Sequence, residues 1–352
     1  MKLTSFDTMW MRAERGALAT VVGLLLSALT VTAQTRDENW TKCASNVPDL
    51  TITGCTAIIQ SGAATAKDAA VAFLNRGSAH LSKGAGLLAA YDFDQAIMLD
   101  PSLPEAFFGR GLSEGQAGNL DGAIKDFSQA LTLKPDFHAA LTERGFAYLG
   151  KRDFTHAIED YDQALRMVPD SVRALYGRGS ARMANGATDQ AIMDFDEAIR
   201  LNAKQPELFF GRGYTYLERK DADRAILDFD RALQLAPSYV QALVERGFAH
   251  LLTTDWARAI DDNNRAIALN ATYIPAYHNR AIAYFRSGQY ERAIADWNNV
   301  VGLDAKRADA VYGRGVAKRM RGDTAEGDMD IAAATSLFPN VAAAMGEFGV
   351  KP

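Results

Sequence analysis

The chain is poor in the residues on which metal and redox sites depend, with 2 cysteines and 5 histidines among 352 residues. Two cysteines without further cysteine or nearby histidine cannot complete a zinc site, and the histidines show no metal-ligand spacing. An excess of basic charge is also lacking, since the formal net charge is -5. Nucleic acid binding requires a basic face. The sequence therefore predicts no metal, no cofactor and no nucleic acid partner.

Enzyme motifs are nearly absent as well. Residues 111–115 (GLSEG) match the G-x-S-x-G nucleophile pattern. That pattern needs a strand-to-helix elbow, whereas this segment is predicted to lie inside a helix. Asp-x-Asp runs such as Asp228 and Asp230 lack the loop glycine of a calcium site. We therefore expect a protein that is not an enzyme.

Only one long uncharged apolar run is present, at residues 17–33, and it follows the basic residues Lys2, Arg12 and Arg15. A basic start, a short apolar core and a small-residue end are typical of a secretory signal peptide. The sequence thus predicts a signal peptide at residues 1–33 and an exported protein, periplasmic or secreted. An uncleaved anchor helix is the alternative, although this run is at the lower limit for spanning a bilayer. Membrane association is expected only in that case.

Both cysteines, Cys43 and Cys55, lie in the exported part, ahead of the rest of the fold. In an oxidising compartment they are expected to form one disulfide, which stabilises by about 3 kcal/mol in the chain-entropy model. Two free buried thiols are the alternative. We interpret residues 34–69 as an N-terminal cap, with a helix near residues 49–60 and a small-residue linker at 61–67.

A fixed period runs through the rest of the chain. An arginine, followed by glycine in all copies but one, returns every 34 residues, at Arg76, Arg110, Arg144, Arg178, Arg212, Arg246, Arg280 and Arg314. Counting unit positions 1–34 from Ala70 gives eight units over residues 70–341. A period of this length is typical of a solenoid, in which one supersecondary unit stacks on copies of itself.

Each unit has the pattern of two short helices. Unit positions 20 and 27 are mostly alanine and position 24 is mostly aromatic, a spacing that places all three on one helical face. Glycine at position 8 allows close approach on the first helix. Glycine at position 15 is expected to end that helix, and proline at position 32 to end the second.

This arrangement resembles the tetratricopeptide repeat family, whose pattern includes a large apolar residue at position 4, glycine at 8, alanine at 20 and 27, an aromatic at 24 and proline at 32. The match covers residues 70–341. The resemblance implies an all-α fold, a right-handed α-solenoid of helix-turn-helix repeats, whose concave face is lined by the first helices and binds peptides or proteins. The start of a further unit at residues 342–352 is interpreted as a C-terminal cap.

One departure from the family pattern occurs in every unit. Position 7, usually leucine, is the recurring arginine, and position 23 is always aspartate: Asp92, Asp126, Asp160, Asp194, Asp228, Asp262, Asp296 and Asp330. A buried guanidinium needs a carboxylate partner. Pairing within a unit leaves no charge unpaired, whereas pairing to the preceding unit would strand Arg76 and Asp330. We therefore predict eight structural ion pairs within units; a charged ligand ladder is the functional alternative.

The resemblance also indicates where a groove would lie. Positions 5 and 9 of the first helix, i and i+4 neighbours, form one stripe on the inner face. The candidate groove residues are Phe108, Phe146, Tyr176, Phe210, Tyr214, Phe248, His278 and Tyr312. Part of this surface must pack between adjacent helices, and the remainder suggests a groove for apolar or aromatic peptide segments. The Lys/Asn set with which some family members clamp a C-terminal carboxylate is missing at these positions.

Two local features stand out from the repeat. Asn263 replaces the aromatic at position 24 in the sixth unit, which predicts a looser joint with the seventh. A basic cluster occurs near the end of the chain, either a solvated end face or a site for an anionic partner. Its members are Lys306, Arg307, Lys318, Arg319 and Arg321.

Together these patterns predict a non-enzymatic scaffold of the cell envelope that binds protein or peptide segments in its concave groove. The alternative is a membrane-anchored assembly or regulatory subunit of an envelope complex that serves a peptidoglycan or secretion enzyme. The cleavage state of the N-terminus separates the two.

Overall fold

The structure is a computed structural model that describes residue 35 and residues 37–351. The predicted signal peptide, residues 1–33, lies outside the described residues. Every regular element in the described part is an α-helix, and the helices form an all-α solenoid of repeated pairs, as predicted. No helix among the described residues is long and apolar enough to cross a membrane.

The chain divides into two compact units, the first ending at Met167 and the second beginning at Val168. The first unit contains α1 (described at 37–43), α2 (Pro48–Ser61), α3 (Ala66–Ser82), α4 (Gly86–Leu99), α5 (Pro104–Gln116), α6 (Leu120–Leu133), α7 (His138–Gly150) and α8 (Phe154–Met167). The second contains α9 (Val172–Ala184), α10 (Thr188–Leu201), α11 (Pro206–Glu218), α12 (Ala222–Leu235), α13 (Val240–Leu252), α14 (Trp256–Leu269), α15 (Ile274–Arg286), α16 (Tyr290–Leu303), α17 (Ala308–Arg321), α18 (Thr324–Leu337) and α19 (Val341–Glu347).

The N-terminal segment is closed by the disulfide between Cys43 and Cys55, which confirms that prediction. Both cysteines are buried, and Ile58 and Ala72 pack beside them. The predicted linker is shorter than expected. Thr65 caps α3 by accepting a hydrogen bond from the Asp68 amide at 3.1 Å, so the helix begins at Ala66.

The helix pairs pack around the aromatic residue at position 24. Phe127 is 2 % exposed, and a Cβ built on Gly111 would lie 2.7 Å from its ring. A Cβ built on Gly109 would lie even closer, 2.4 Å from the ring of Phe93 in the preceding repeat. The bare glycine backbone therefore sets how near the first helix approaches the rings on either side.

The first helices end through a left-handed residue at position 15. Five repeats use glycine there, with φ between 73° and 111°, as predicted. The other three adopt the same conformation without glycine, at Arg152, Lys220 and Thr254, each with φ of 61°. This turn is thus dictated by the repeat geometry even where the residue type opposes it.

Proline at position 32 is not what ends the second helix. Repeats with alanine there, at Ala203 and Ala271, still end at Leu201 and Leu269, the position used by the proline-containing repeats. The residue after each of these ends is extended, as at Asn202 (φ -147°, ψ 88°). The turn between repeats therefore does not depend on proline.

Asn263, where the sequence predicts a looser joint, is fully buried. Its amide nitrogen donates to the Ala259 carbonyl at 2.7 Å, while its Oδ1 atom has no partner. Asn279 on α15 is also buried, and its amide donates to the Val244 carbonyl at 3.4 Å. Two amides thus lie where other repeats have an aromatic ring against glycine.

Candidate functional site

The first helices present two different faces, and the arginine at position 7 marks the one that holds each helix pair together. In every repeat its Nε and Nη2 atoms hydrogen-bond the position-23 carboxylate of the same repeat. Arg110 is representative, at 2.7 Å from both oxygens of Asp126. Two parallel bonds of this kind fix geometry as well as charge.

The third guanidinium nitrogen makes a contact that the repeat pattern alone did not predict. Nη1 of Arg110 lies 2.7 Å from Asp94, a residue of the preceding repeat, and Nη1 of Arg246 lies 2.6 Å from Asp230. In six repeats the residue reached is at position 25 of the preceding repeat; the other four partners are Ser128, Asp196, Asn264 and Asn298. The recurring Asp-x-Asp runs carried this signal, because their second aspartate serves the next repeat.

Burial and hydrogen-bond partners shift the pKa values of these carboxylates in opposite directions. Burial raises the pKa of Asp228 above its usual value more than the hydrogen bonds from Arg212 lower it. At Asp330 burial acts in the same direction, but hydrogen bonds from both Arg314 and Lys318 outweigh it, and the pKa lies below its usual value. The geometry is that of a structural network in which each guanidinium is used by the chain itself.

The inner stripe is half-buried, because its rings rest on the aromatic core. Ring centroids are 5.7 Å apart for Phe108 and Phe127 in the first unit, and 5.8 Å for Phe210 and Phe229 in the second. Phe146, Tyr176, Tyr214 and Phe248 are likewise half-buried. Each ring therefore packs in part against the protein and keeps only part of its surface accessible.

Two of the candidate groove residues lie differently. Tyr312 is only 2 % exposed, in the core cluster that also contains Val341, Met345 and Val350, so it offers no surface to a ligand. His278 is mostly covered, and burial lowers its pKa to about 4. The imidazole is therefore neutral near pH 7, and its Nδ1 atom has no partner among the described residues.

The C-terminal segment reaches farther than a cap over the last repeat. Helix α19 packs on α17 and α18. The chain then turns at Gly349, whose φ is 73°, and Phe348 lies edge-on to Phe248 of α13 with ring centroids 5.9 Å apart. Arg286 of α15 donates from Nη1 to the Phe348 carbonyl at 2.9 Å. The inner face of the last repeats thus holds a short peptide segment of the same chain.

The basic cluster near the end is mostly neutralised by neighbouring carboxylates. Lys318 lies 3.0 Å from Asp330 and Arg319 lies 3.1 Å from Asp328. Arg307 pairs with Asp309 at 2.5 Å, and Arg321 pairs with Asp323. These pairs leave Lys306 as the one member of the cluster with no side-chain partner among the described residues. The geometry favours a solvated end face over an anion site.

The serine of the G-x-S-x-G match is part of a helix. Ser113 lies inside α5, is 4 % exposed, and donates its hydroxyl to the Gly109 carbonyl at 3.2 Å. The strand-to-helix elbow that presents a nucleophile is not formed at this serine.

Comparison with known proteins gives a consistent result. Family models described as tetratricopeptide repeat match residues 104–137, 142–206, 210–274 and 264–295. No curated protein matches the chain. The structure resembles a tetratricopeptide repeat protein from Parabacteroides merdae (TM-score 0.54, 22% identity, covering 70% of this chain and 96% of that one).

Two further solved structures have the same fold. One is the pilF protein of Pseudomonas aeruginosa (TM-score 0.53, 17% identity, covering 60% of this chain and 96% of that one). The other is a chain of the APC/C hetero-tetramer Cut9–Hcn1 (TM-score 0.58, 15% identity, covering 85% of this chain and 59% of that one). At these identities the likeness shows the fold alone.

Proposed function

Because this chain belongs to the tetratricopeptide repeat family, we propose that it is a non-enzymatic scaffold of the cell envelope, which binds segments of other proteins along the inner faces of its repeats. Repeats of this family form protein–protein interaction scaffolds. The compartment, the absence of catalysis and the use of the inner face are the parts that the proposal adds.

One observation carries the use of the inner face. The segment around Phe348 is held there through a ring contact with Phe248 and a hydrogen bond from Arg286 to a main-chain carbonyl. A side-chain pocket together with a main-chain contact is the way in which peptide-binding grooves recognise a polypeptide. We expect a partner segment to use the same kinds of contact on the inner faces that the C-terminal segment leaves uncovered.

The cell-envelope location has two supports. The disulfide between Cys43 and Cys55 is typical of an oxidising compartment. The apolar run at residues 17–33, with basic residues before it, has the pattern of an export signal. N-terminal sequencing of the protein purified from cells tests both versions of the proposal: a start near residue 34 supports a released scaffold, and an intact N-terminus supports the membrane-anchored subunit.

The binding proposal is tested with the full exported chain. Cross-linking in intact cells and mass spectrometry identify the bound proteins for the wild type and for the double variant Phe210→Ser and Tyr214→Ser. A matched control is Leu227→Ser on α12, because Leu227 is 67 % exposed and lies outside the inner stripe. We expect the inner-face variant to lose partners that the control keeps. Equal recovery by both variants, with unchanged melting temperatures, would contradict the proposal.

A further inference from the structure

One part of the inner face in the second unit combines half-buried tyrosines with carboxylates that have no basic partner among the described residues. We name it the tyrosine–glutamate surface; it consists of Glu207, Glu218, Glu245, Tyr214, Tyr239 and Tyr273. It lies along α11 and α13 and the turns that follow α12 and α14. The Phe210 ring forms its floor, with centroids 6.3 Å from Tyr214 and 5.0 Å from Tyr239.

The charge of this surface is negative and uncompensated. Among residues 37–351, no lysine, arginine or histidine lies within ion-pairing distance of Glu207, Glu218 or Glu245, although most other charged groups in the fold are paired. Carboxylates act on all three tyrosines, and Tyr176 acts on Tyr239 as well. Burial, together with Glu207, raises the pKa of Tyr239 to about 12, and burial, together with Glu218, raises the pKa of Glu245 to about 7.

The second repeat shows what fills the same place elsewhere in the chain. Lys134, at position 31, puts its Nζ atom 3.4 Å from Glu105 at position 2 and 4.8 Å from the centroid of the Phe137 ring at position 34. The Phe137 ring lies 4.8 Å from Phe108, just as Tyr239 lies 5.0 Å from Phe210. An ammonium group is thus held between a carboxylate and an aromatic face, as in cation–π recognition.

The fifth repeat has the acid and the ring of this arrangement but lacks its cation. Glu207 occupies position 2, Tyr239 occupies position 34, and position 31 is Ala236. The backbone at this position is the same in the two repeats, with φ and ψ of -139° and 87° at Lys134 and -136° and 85° at Ala236. The difference between the two repeats therefore lies in the side chain.

We propose that the tyrosine–glutamate surface binds a basic segment of a partner protein, with one lysine side chain between Glu207 and Tyr239 in the place that Lys134 occupies in the second repeat. A second basic side chain lies against Glu218 and Glu245, beside Tyr214 and Tyr273. The inference deepens the proposed function, because it names the chemistry of the partner segment, and it rests on that function.

Complementary charge explains why the occupant is basic and not merely apolar. Glu245 is half-buried, and a half-buried carboxylate without a counter-ion is destabilising, so docking of a cation there removes that penalty. Glu207 and Glu218 are exposed and attract the cation through solvent. The tyrosine hydroxyls have no hydrogen-bond partner among the described residues, so they are available to the main chain of the bound segment. The segment around Phe348 lies against Phe248, and its Lys351 forms no ion pair with Glu207, Glu218 or Glu245.

The test uses the full exported chain and a fluorescein-labelled peptide of alternating lysine and glycine, with an N-acetyl-lysine peptide of the same length as the uncharged comparison. We expect the lysine peptide to bind, the acetylated peptide to bind at least about tenfold more weakly, and binding to weaken as salt is raised. Glu207→Gln is expected to weaken binding about three- to fivefold, the scale of one lost exposed charge contact, since the Tyr239 ring remains. Glu105→Gln, which removes the equivalent but already occupied carboxylate, is the matched control and is expected to change it less than twofold.

A second variant separates lost binding from lost folding. Ala236→Lys places in the fifth repeat the lysine that the second repeat already has. We expect it to keep the wild-type melting temperature or raise it, and to weaken binding of the lysine peptide about tenfold by occupying the site. Binding that is equal for wild type, Glu207→Gln and Ala236→Lys would show unspecific attraction and overturn the inference. If the chain binds partners in cells but does not bind the lysine peptide, the scaffold function is supported and the inference that the partner segment is basic is wrong.

Discussion

The Arg–Asp pairs and the inner face use the same first helices, yet the pairs are the same in every repeat whereas the residues of the inner face differ. Arg212 makes the same two bonds to Asp228 that Arg110 makes to Asp126, with distances that differ by no more than 0.1 Å. The inner face of those two repeats differs in charge, because Lys134 has no counterpart in the fifth repeat. Constancy therefore indicates what each helix pair needs to stay folded, and variation indicates what is left for recognition.

The largest expected effect comes from breaking the constant part. Arg212→Leu leaves Asp228 buried without its guanidinium, and we expect a loss of about 3–5 kcal/mol in the free energy of unfolding. The double variant with Asp228→Leu is expected to recover much of this loss, but not all, because Asp196 also loses its contact with Arg212. Urea unfolding of the three proteins measures it, and a double variant as unstable as the single one would exclude the pairing as the cause.

Glu245→Gln, a change on the inner face, is expected to alter the free energy of unfolding in a pH-dependent way. The pKa of Glu245 is raised to about 7 in the folded protein, against about 4.3 in an unfolded chain. The folded state therefore holds its proton more tightly, and the stability from this group is complete below pH 4 and is lost as pH rises through 7. Removing the charge is expected to stabilise by up to about 3 kcal/mol at pH 8.

The same variant has little expected effect on stability at pH 4, because the wild-type carboxyl is then protonated in both states. Unfolding curves at pH 4, 6 and 8 measure the difference. A constant difference across this range would show that Glu245 ionises normally. We expect this variant also to bind the lysine peptide more weakly, because it removes one of the proposed contacts of the second basic side chain. Weaker binding by a more stable protein would distinguish recognition from folding.

Phe348→Ala tests whether the inner face of the last repeats is stabilised by its own segment. The Phe248–Phe348 contact buries part of an aromatic ring, and we expect a loss of about 1–2 kcal/mol. Limited proteolysis is expected to cut the variant near its C-terminus before any other site, whereas Leu337→Ala, at an exposed position on α18, leaves the wild-type pattern. An unchanged pattern for both would mean that the segment is not held there.

The smallest effect is expected where the conformation is constant but the residue type varies. Thr254 is a β-branched residue at φ 61°, in the place where five repeats have glycine. Thr254→Gly relieves this strain, at the entropic cost of glycine in the unfolded chain, and we expect a net stabilisation of about 1 kcal/mol. Thermal unfolding measures it, with Gly288→Thr as the reverse change in the seventh repeat, which is expected to destabilise.

The features that repeat were predictable from the sequence, because each recurs with the same spacing. The period placed Arg212 opposite Asp228, and the two cysteines left a single possible pairing. A contact that occurs only once in the structure could not be predicted from the repeat pattern. The Phe248–Phe348 contact joins residues one hundred positions apart, and no other repeat has it to compare. Burial of Tyr312 follows from the same segment, since α19 and the residues after it cover the last repeats.

The surroundings of Asn263 also depend on a residue that breaks the repeat. Position 24 packs against position 6 of the next repeat, and that residue changes as well. Asn279 stands there in the place of a glycine such as Gly109 or Gly211. The two amides keep that joint buried. Position 25 is hard to recognise as the partner of the following arginine, because aspartate, serine and asparagine all occur there.

The bridging arginines also bear on how such a chain can grow or shorten. Each brings its own aspartate at position 23, and six of them reach back to position 25 of the repeat before, as Arg246 does to Asp230. Even the first arginine finds a partner ahead of it, since Arg76 reaches Thr56 of the N-terminal segment at 3.0 Å. A whole repeat can therefore be duplicated or deleted in evolution without leaving an uncompensated charge, whereas a cut made inside a repeat separates a guanidinium from its carboxylate. Length is free to change in steps of one repeat.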